Sequence, residues 1–240
     1  GVLAIWLGGL WFAALAAAVC GAMIWELARM IAPQQRPEAL QLALVGGAAV
    51  LLAHVLPGAF AFPVLAAAPL VGGALLKRER VLFVLFALGI VVAGYGLAGF
   101  RAQYGVVWLF WLVLVVIATD VLGYFAGRFI GGPKFWPRVS PKKTWSGTVA
   151  GWIGAALIGF LFLGFTDAGR DLPWISVALS MASQAGDMAE SAIKRRCGVK
   201  DSSSLIPGHG GLFDRFDGLL GAALLMLLVA QLVYVPEVRF

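Results

Sequence analysis

Eight apolar segments follow one another along this chain, most of them near the roughly 20 residues a helix needs to cross a bilayer. They run at about residues 10–31, 39–56, 60–76, 81–99, 105–127, 145–165, 173–192 and 212–235. The composition agrees: 61% of the 240 residues are hydrophobic and 12% are charged. Soluble domains lie nearer 45–50% and about 25%. A transmembrane barrel would need short alternating strands, and none is visible. The expected fold is therefore all-α, a polytopic transmembrane helical bundle of about eight spans. Residues 1–9 read as the remnant of an earlier helix, turned at Gly8–Gly9. Residues 1–104 are expected to be scaffold helices with lipid and dimer contacts, and 105–240 to carry the chemistry. No soluble domain, repeat or low-complexity tract interrupts the series.

The net charge of +6 could suggest nucleic acid or anionic lipid, but in a membrane chain its placement matters more than its sum. Arg29 and Arg36 follow the first segment, and Lys77, Arg78 and Arg80 the third. Arg128, Lys134, Arg138, Lys142 and Lys143 follow the fifth, and Lys194, Arg195, Arg196, Lys200 and Arg215 the seventh. These are fifteen of the eighteen Lys and Arg residues; Arg101, Arg170 and Arg239 fall on the other side. The positive-inside rule puts the fifteen in the cytoplasm, and no nucleic-acid partner is expected. Cys20 and Cys197 stand far apart and read as free thiols. The opening GVLAIWLGG has neither a basic stretch nor a cleavage pattern, so no secretory leader is expected.

Charge is costly in a bilayer, about 2.5–3.5 kcal/mol per residue even on lenient scales, so its location is informative. Asp120 sits inside the run WLFWLVLVVIATDVLGYFAGRFIGG, about two turns before the cytoplasmic end. Gly123, Gly127 and Gly131 recur every four residues, which would let another backbone come close. Glu26, beside Trp25, reads as an interfacial carboxylate or as a site contact. His54 reads as structural. Lys142 and Lys143 precede a helix starting near Thr144-Trp145-Ser146-Gly147. They can be a phosphate receptor or a topological pair with an N-cap, and the residues leave both open.

The densest stretch is Ser180–Gly218. Ser180, Ser183, Gln184, Asp187, Glu190, Ser191 and Lys194 recur at steps of three and four, forming one polar helix face. On a membrane helix that face must look into the bundle or a wet cavity. Asp187 and Glu190, one turn apart, can share a cation or form an internal salt bridge to Lys194. Lys200, Asp201 and three serines follow, then the glycine-rich Pro207-Gly208-His209-Gly210-Gly211. Asp214 and Asp217, with Arg215 between, face one way at the head of the last helix. Two carboxylate pairs among clustered cations suit a Mg²⁺–polyphosphate site.

From Ser191 to Asp217 the chain resembles the signature of the phosphatidate cytidylyltransferases. That pattern is Ser-x-apolar-Lys-Arg, then Lys-Asp-x-small, then apolar-Pro-x-His-Gly-Gly-apolar-x-Asp-Arg-x-Asp. It is filled by Ser191, Ile193, Lys194, Arg195, Lys200, Asp201, Ser203, Ile206, Pro207, His209, Gly210, Gly211, Leu212, Asp214, Arg215 and Asp217. Supporting similarity extends over Asp120–Gly127, Ser140–Thr144 and Gly186–Ser191. Ser146 departs from the Glu found in many members.

The resemblance implies a Mg²⁺-dependent enzyme, usually dimeric, of the bacterial inner membrane. It would condense CTP with phosphatidic acid into CDP-diacylglycerol and pyrophosphate at the cytoplasmic face. A second cation stays open. Asp187, Asp214 and Asp217 are then the leading metal ligands, with Glu190 beside them. Asp187, Asp214, Lys200, Asp201, His209 and Arg215 are the catalytic candidates. Asp120, Lys142, Lys143, Ser191, Lys194, Arg195, Gly210 and Gly211 are the substrate-binding ones. A related CTP-using enzyme acting on another lipid shares this chemistry. An ion-coupled transporter would spread its carboxylates through the membrane depth, whereas these gather at one end.

Overall fold

The computed structural model describes residues 2–208 and 210–238. The chain divides into two compact units: residues 1–103 with 196–216, and residues 104–195 with 217–240. A stretch late in the sequence, which holds most of the glycine-rich loop, thus folds with the N-terminal helices.

The first unit opens with α1 (Val2–Leu7) and α2 (Gly9–Ile31). Gly8 and Gly9 between them have positive φ, the left-handed backbone that glycine adopts at no steric cost. The expected turn is therefore present. Arg101 donates from Nε to Ile5 O (3.0 Å) and from Nη2 to Trp6 O (2.6 Å), capping the carbonyl end of α1.

Next come α3 (Arg36–Val55), a single 3₁₀ turn (Gly58–Phe60), α4 (Ala61–Leu65) and α5 (Ala67–Leu75). The break between α4 and α5 has a local cause. Pro69 has no N–H to offer the carbonyl four residues back, and its ring crowds that position. A long helix, α6 (Arg80–Tyr104), completes the membrane part of the unit. The core around them includes Ile24, Leu27, Leu42, Leu65, Phe83 and Ile90, each essentially buried.

α2 and α3 pack through small residues. A methyl group added at Gly21 would lie 2.9 Å from Ala43 O, and one at Gly47 would lie 3.1 Å from Ala17 O. The two backbones are nearly in contact, as small-residue interfaces in membranes allow.

The second unit holds α7 (Val107–Phe129), a hairpin of β1 (Lys134–Trp136) and β2 (Ser140–Thr144), α8 (Trp145–Leu163), α9 (Leu172–Arg196) and most of α10 (Phe213–Val229). The hairpin is an addition to the expected all-helical fold. Its strands are antiparallel, with Lys134 opposite Thr144 and Trp136 opposite Ser140. Pro141 is tolerated because an edge strand need not donate there.

β2 runs directly into α8, and Thr144 caps that helix by accepting from Gly147 N at 3.2 Å. Gly123 and Gly127 meet this junction as expected, whereas Gly131 lies beyond the end of α7, with positive φ and open space where a side chain would stand. A methyl group at Gly123 would lie 3.3 Å from Gly147 O, and one at Gly127 would lie 2.9 Å from Thr144 Oγ1.

Among the described residues, six helical stretches are long and apolar enough to span a bilayer: Gly9–Ile31, Arg36–Val55, Gly58–Leu75, Arg80–Tyr104, Val107–Phe129 and Trp145–Leu163. They make this a multi-pass membrane protein. The two remaining expected segments form α9 and α10 but fall short of that measure. α9 carries the polar stripe, and α10 is only 17 residues long.

Two substitutions test this packing. Gly21→Val should destabilise the detergent-solubilised protein by about 1–3 kcal/mol, as overpacking does. Gly99→Ala, with nothing within 4 Å of the added carbon, should leave the thermal unfolding midpoint near wild type. Thr144→Ala should remove the α8 cap at a cost of about 1 kcal/mol, which Thr144→Ser should restore. Thermal unfolding by circular dichroism reads all four variants.

Candidate active site

In the second unit a cavity of about 380 Å³ opens between the cytoplasm-predicted end of α7, the hairpin, α8 and α9. Asp120, Lys142, Lys143 and Asp187 line it together with Arg128, Tyr124, Gln184 and Thr148. Four sequence-predicted site residues therefore converge there. Lys143 Nζ forms an ion pair with Asp187 Oδ2, both side chains remaining roughly 30% exposed (27% and 30%). Asp187 also accepts from Ser191 Oγ at 3.4 Å. Arg128 Nη1 donates to Tyr124 Oη at 2.7 Å.

The two open readings of the Lys142–Lys143 pair now separate in part. The start of α8 is occupied by the chain itself: Trp145 N donates to Pro133 O at 3.1 Å, and Gly147 N donates to Thr144. The positive charge offered to the cavity therefore comes from the lysine side chains, more than from the end of the helix.

The polar stripe of α9 looks inward, as its position in a membrane helix requires. Thr119 Oγ1 donates to Ser180 Oγ at 2.7 Å, and Trp111 Nε1 to Ser176 Oγ at 3.0 Å. Gln184 accepts from Trp152 Nε1 at 3.0 Å and donates to Thr148 O at 3.2 Å. Glu190, fully buried, pairs with Lys194 one turn on, also buried. Glu190 is therefore committed to a lysine and does not line the cavity.

Asp217 is tied to the same neighbourhood. A side chain at Gly186 would run into Asp217 O, and one at Gly221 into Ala182 O. The backbone of α10 thus lies against α9 immediately beside Asp187. Asp217 is repelled by the charges of Asp187 and Asp120 and attracted by that of Lys194. Asp120 in turn feels Asp187 and Lys143. Three mutually repelling carboxylates are hard oxygen donors of the kind that take Mg²⁺, so the residue set fits such an ion. Among the described residues, no three His, Cys, Asp or Glu side chains are drawn close enough to coordinate one as they stand.

In the first unit the glycine-rich loop is organised by two carboxylates. Asp214 Oδ2 accepts from Ser202 N (2.9 Å), Ser202 Oγ (2.8 Å) and Gly211 N (2.7 Å). Gly210 has positive φ, and its Cα side faces Asp214 and Asp201. Ile206 N donates to Gly210 O at 2.9 Å across the turn. His209 lies outside the described residues. Lys200, Asp201 and Arg215 are exposed in this unit, and Arg195 is exposed in the other.

The second carboxylate is Glu26, which is completely buried. Its Oε1 accepts from Ser203 Oγ (2.6 Å) and Leu212 N (2.9 Å), and its Oε2 from Phe213 N (2.6 Å), with Ser202 Oγ standing 3.3 Å from Oε2. Of the two readings the sequence leaves for Glu26, contact with the motif loop is the one found. No spacing signal could have revealed it, because its partners are 176–187 residues away. The available hint was chemical: a carboxylate in an apolar segment needs donors.

Against this geometry stand the known relatives. A phosphatidate cytidylyltransferase of Brucella abortus biovar 1 (strain 9-941) is 43% identical over 158 residues, covering 61% of this chain and 58% of that protein. The protein of that name from Haemophilus influenzae is 42% identical over 126 residues, covering 50% of this chain and 44% of its own length. The one from Bacillus subtilis is 40% identical over 123 residues, covering 49% and 45%. The matches thus span less than two thirds of these relatives. The Cytidylyltransferase family model, by contrast, matches residues 1–233, and this chain belongs to that family.

Proposed function

We propose that this protein transfers the CMP moiety of CTP to phosphatidic acid, forming CDP-diacylglycerol and pyrophosphate. The reaction would take place at the cytoplasmic face of a bacterial inner membrane, with Mg²⁺, in a homodimer. The observation that carries the reading is the cavity at the end of α7. There Asp120 and Asp187 stand with Lys142, Lys143 and Arg128 in a chain that is otherwise poor in charge. The names of the relatives support the choice of nucleotide and lipid.

The chemistry asks little of a general base. A phosphate monoester is largely ionised at neutral pH, because its second pKa is near 6. Its oxygen attacks the α-phosphorus of CTP. A new P–O bond forms, the bond to the β-phosphate bridge breaks, and pyrophosphate leaves with the electron pair. The demands on the protein are positioning and neutralising charge. Lys142, Lys143 and Arg128 would hold phosphate oxygens in the cavity. Lys143, released from Asp187, would turn to the triphosphate. Lys200 and Arg215 are further candidates for phosphate contacts, and Gly210 for a close backbone approach, on the resemblance alone; Lys194 is held by Glu190 and the Gly211 N–H by Asp214. Within the second unit, Asp187 and Asp217, with Asp120 near, would be the oxygen donors for Mg²⁺. Asp214 is a further ligand candidate on the resemblance alone. When bound, the ion would supply charge neutralisation on the triphosphate and the leaving pyrophosphate.

Asp187→Asn and Asp214→Asn should each lower turnover at least about a hundredfold, the scale of losing a preorganised charged group. Both variants should elute and unfold as folded protein. The assay is incorporation of label from α-phosphate-labelled CTP into extracted lipid, with phosphatidic acid and a polyprenyl phosphate offered in parallel. Near-normal incorporation by either variant would refute the metal assignment. Labelling of the polyprenyl lipid alone would move the protein to the related lipid enzyme.

A further inference from the structure

Glu26 lies on α2, outside every stretch on which the cytidylyltransferase resemblance rests, yet it makes four close contacts to the motif loop and the helix that follows it. Each carboxylate oxygen accepts one backbone N–H from the entry to α10, Leu212 N on Oε1 and Phe213 N on Oε2. Each also meets one serine hydroxyl of the loop, Ser203 on Oε1 and Ser202 on Oε2. A helix leaves its first N–H groups without partners, and a negative charge is stabilising there. Here that role falls to a residue nearly 190 positions away, where a local capping side chain would ordinarily serve.

The contact is also tight. A methyl group added at Gly211 would lie 2.5 Å from Glu26 Oε1, so only glycine lets the loop backbone come this near. Ser202 links the two carboxylates. Its single hydroxyl proton serves Asp214 Oδ2 at 2.8 Å, and the same oxygen stands 3.3 Å from Glu26 Oε2. The loop's N–H groups at Ser202, Gly211, Leu212 and Phe213 are all consumed by Glu26 and Asp214.

We propose that Glu26 is a positioning residue: a buried carboxylate on the second helix that clamps the 201–214 loop and the first turn of α10. Asp214, Asp201 and Arg215 are thereby held in one arrangement. The clamp stands on geometry within one unit; its consequence for turnover rests on the CTP–phosphatidate reading above.

The test is hydrogen exchange by mass spectrometry on the purified full chain in detergent, combined with steady-state kinetics. In Glu26→Gln, half of the acceptor capacity becomes an N–H₂ group facing other donors. Exchange over residues 200–213 should rise at least about tenfold, while α2 and α3 keep their protection. kcat per folded enzyme should fall at least about tenfold, with KM for phosphatidic acid within about twofold, the signature of a lost arrangement rather than lost lipid binding. Glu26→Asp keeps both oxygens but shortens the reach, and should fall between wild type and Glu26→Gln on both readouts. It carries the same test if Glu26→Gln does not survive extraction.

Unchanged exchange over 200–213 would overturn the clamp. Faster exchange with unchanged kcat would overturn the positioning role. A wild-type protein that transfers no CMP would instead refute the functional reading, and loop exchange in the variants would still decide the clamp.

Discussion

A carboxylate enclosed in an apolar protein must find its hydrogen-bond donors within the chain, because water is not there to supply them. That requirement organises much of this molecule. Glu26 and Asp214 between them take up the N–H groups and hydroxyls of a loop that has little regular structure of its own. Glu190 forms an ion pair with Lys194, and Asp187 with Lys143. Losing one partner of such a pair would leave a charge stranded, at a cost of about 3–5 kcal/mol when fully buried. The loop is therefore shaped from within by the acids it surrounds.

The close approach of small residues is the second constraint, and it serves the first. α7 could not bring Asp120 to the cavity wall beside β2 and α8 if Gly123 and Gly127 carried side chains, because the backbone at Gly147 and the Thr144 hydroxyl occupy that space. Gly186 likewise admits the carbonyl of Asp217 next to Asp187. Lipid offers helices little hydrophobic reason to associate, so packing contacts and interhelical hydrogen bonds carry the association. The Thr119–Ser180, Trp111–Ser176 and Gln184–Trp152 bonds supply the second kind.

What could be read from the sequence follows from energetic cost. Asp120 stood out because a carboxylate in an apolar run is expensive, and the stripe from Ser180 to Lys194 stood out because a polar face in a membrane must be turned inward. The α7 glycines were legible through their spacing. Three things were less legible. The Lys134–Thr144 hairpin is short and interrupted by prolines, so it leaves no alternating pattern. The expected count of about eight spans is met by six clear candidates among the described residues, since α9 trades apolarity for its stripe and α10 is short. The link from Glu26 to Leu212 and Phe213 is purely tertiary, and no local rule in a single sequence can express it.

The most direct test of the account is release of pyrophosphate by the purified protein in mixed micelles, with CTP, Mg²⁺ and phosphatidic acid present together and then omitted in turn. The account predicts release only when all three are present, in amounts equal to the CDP-diacylglycerol formed. Release that persists without any phosphorylated lipid, or no release from demonstrably folded protein in the complete mixture, would contradict it.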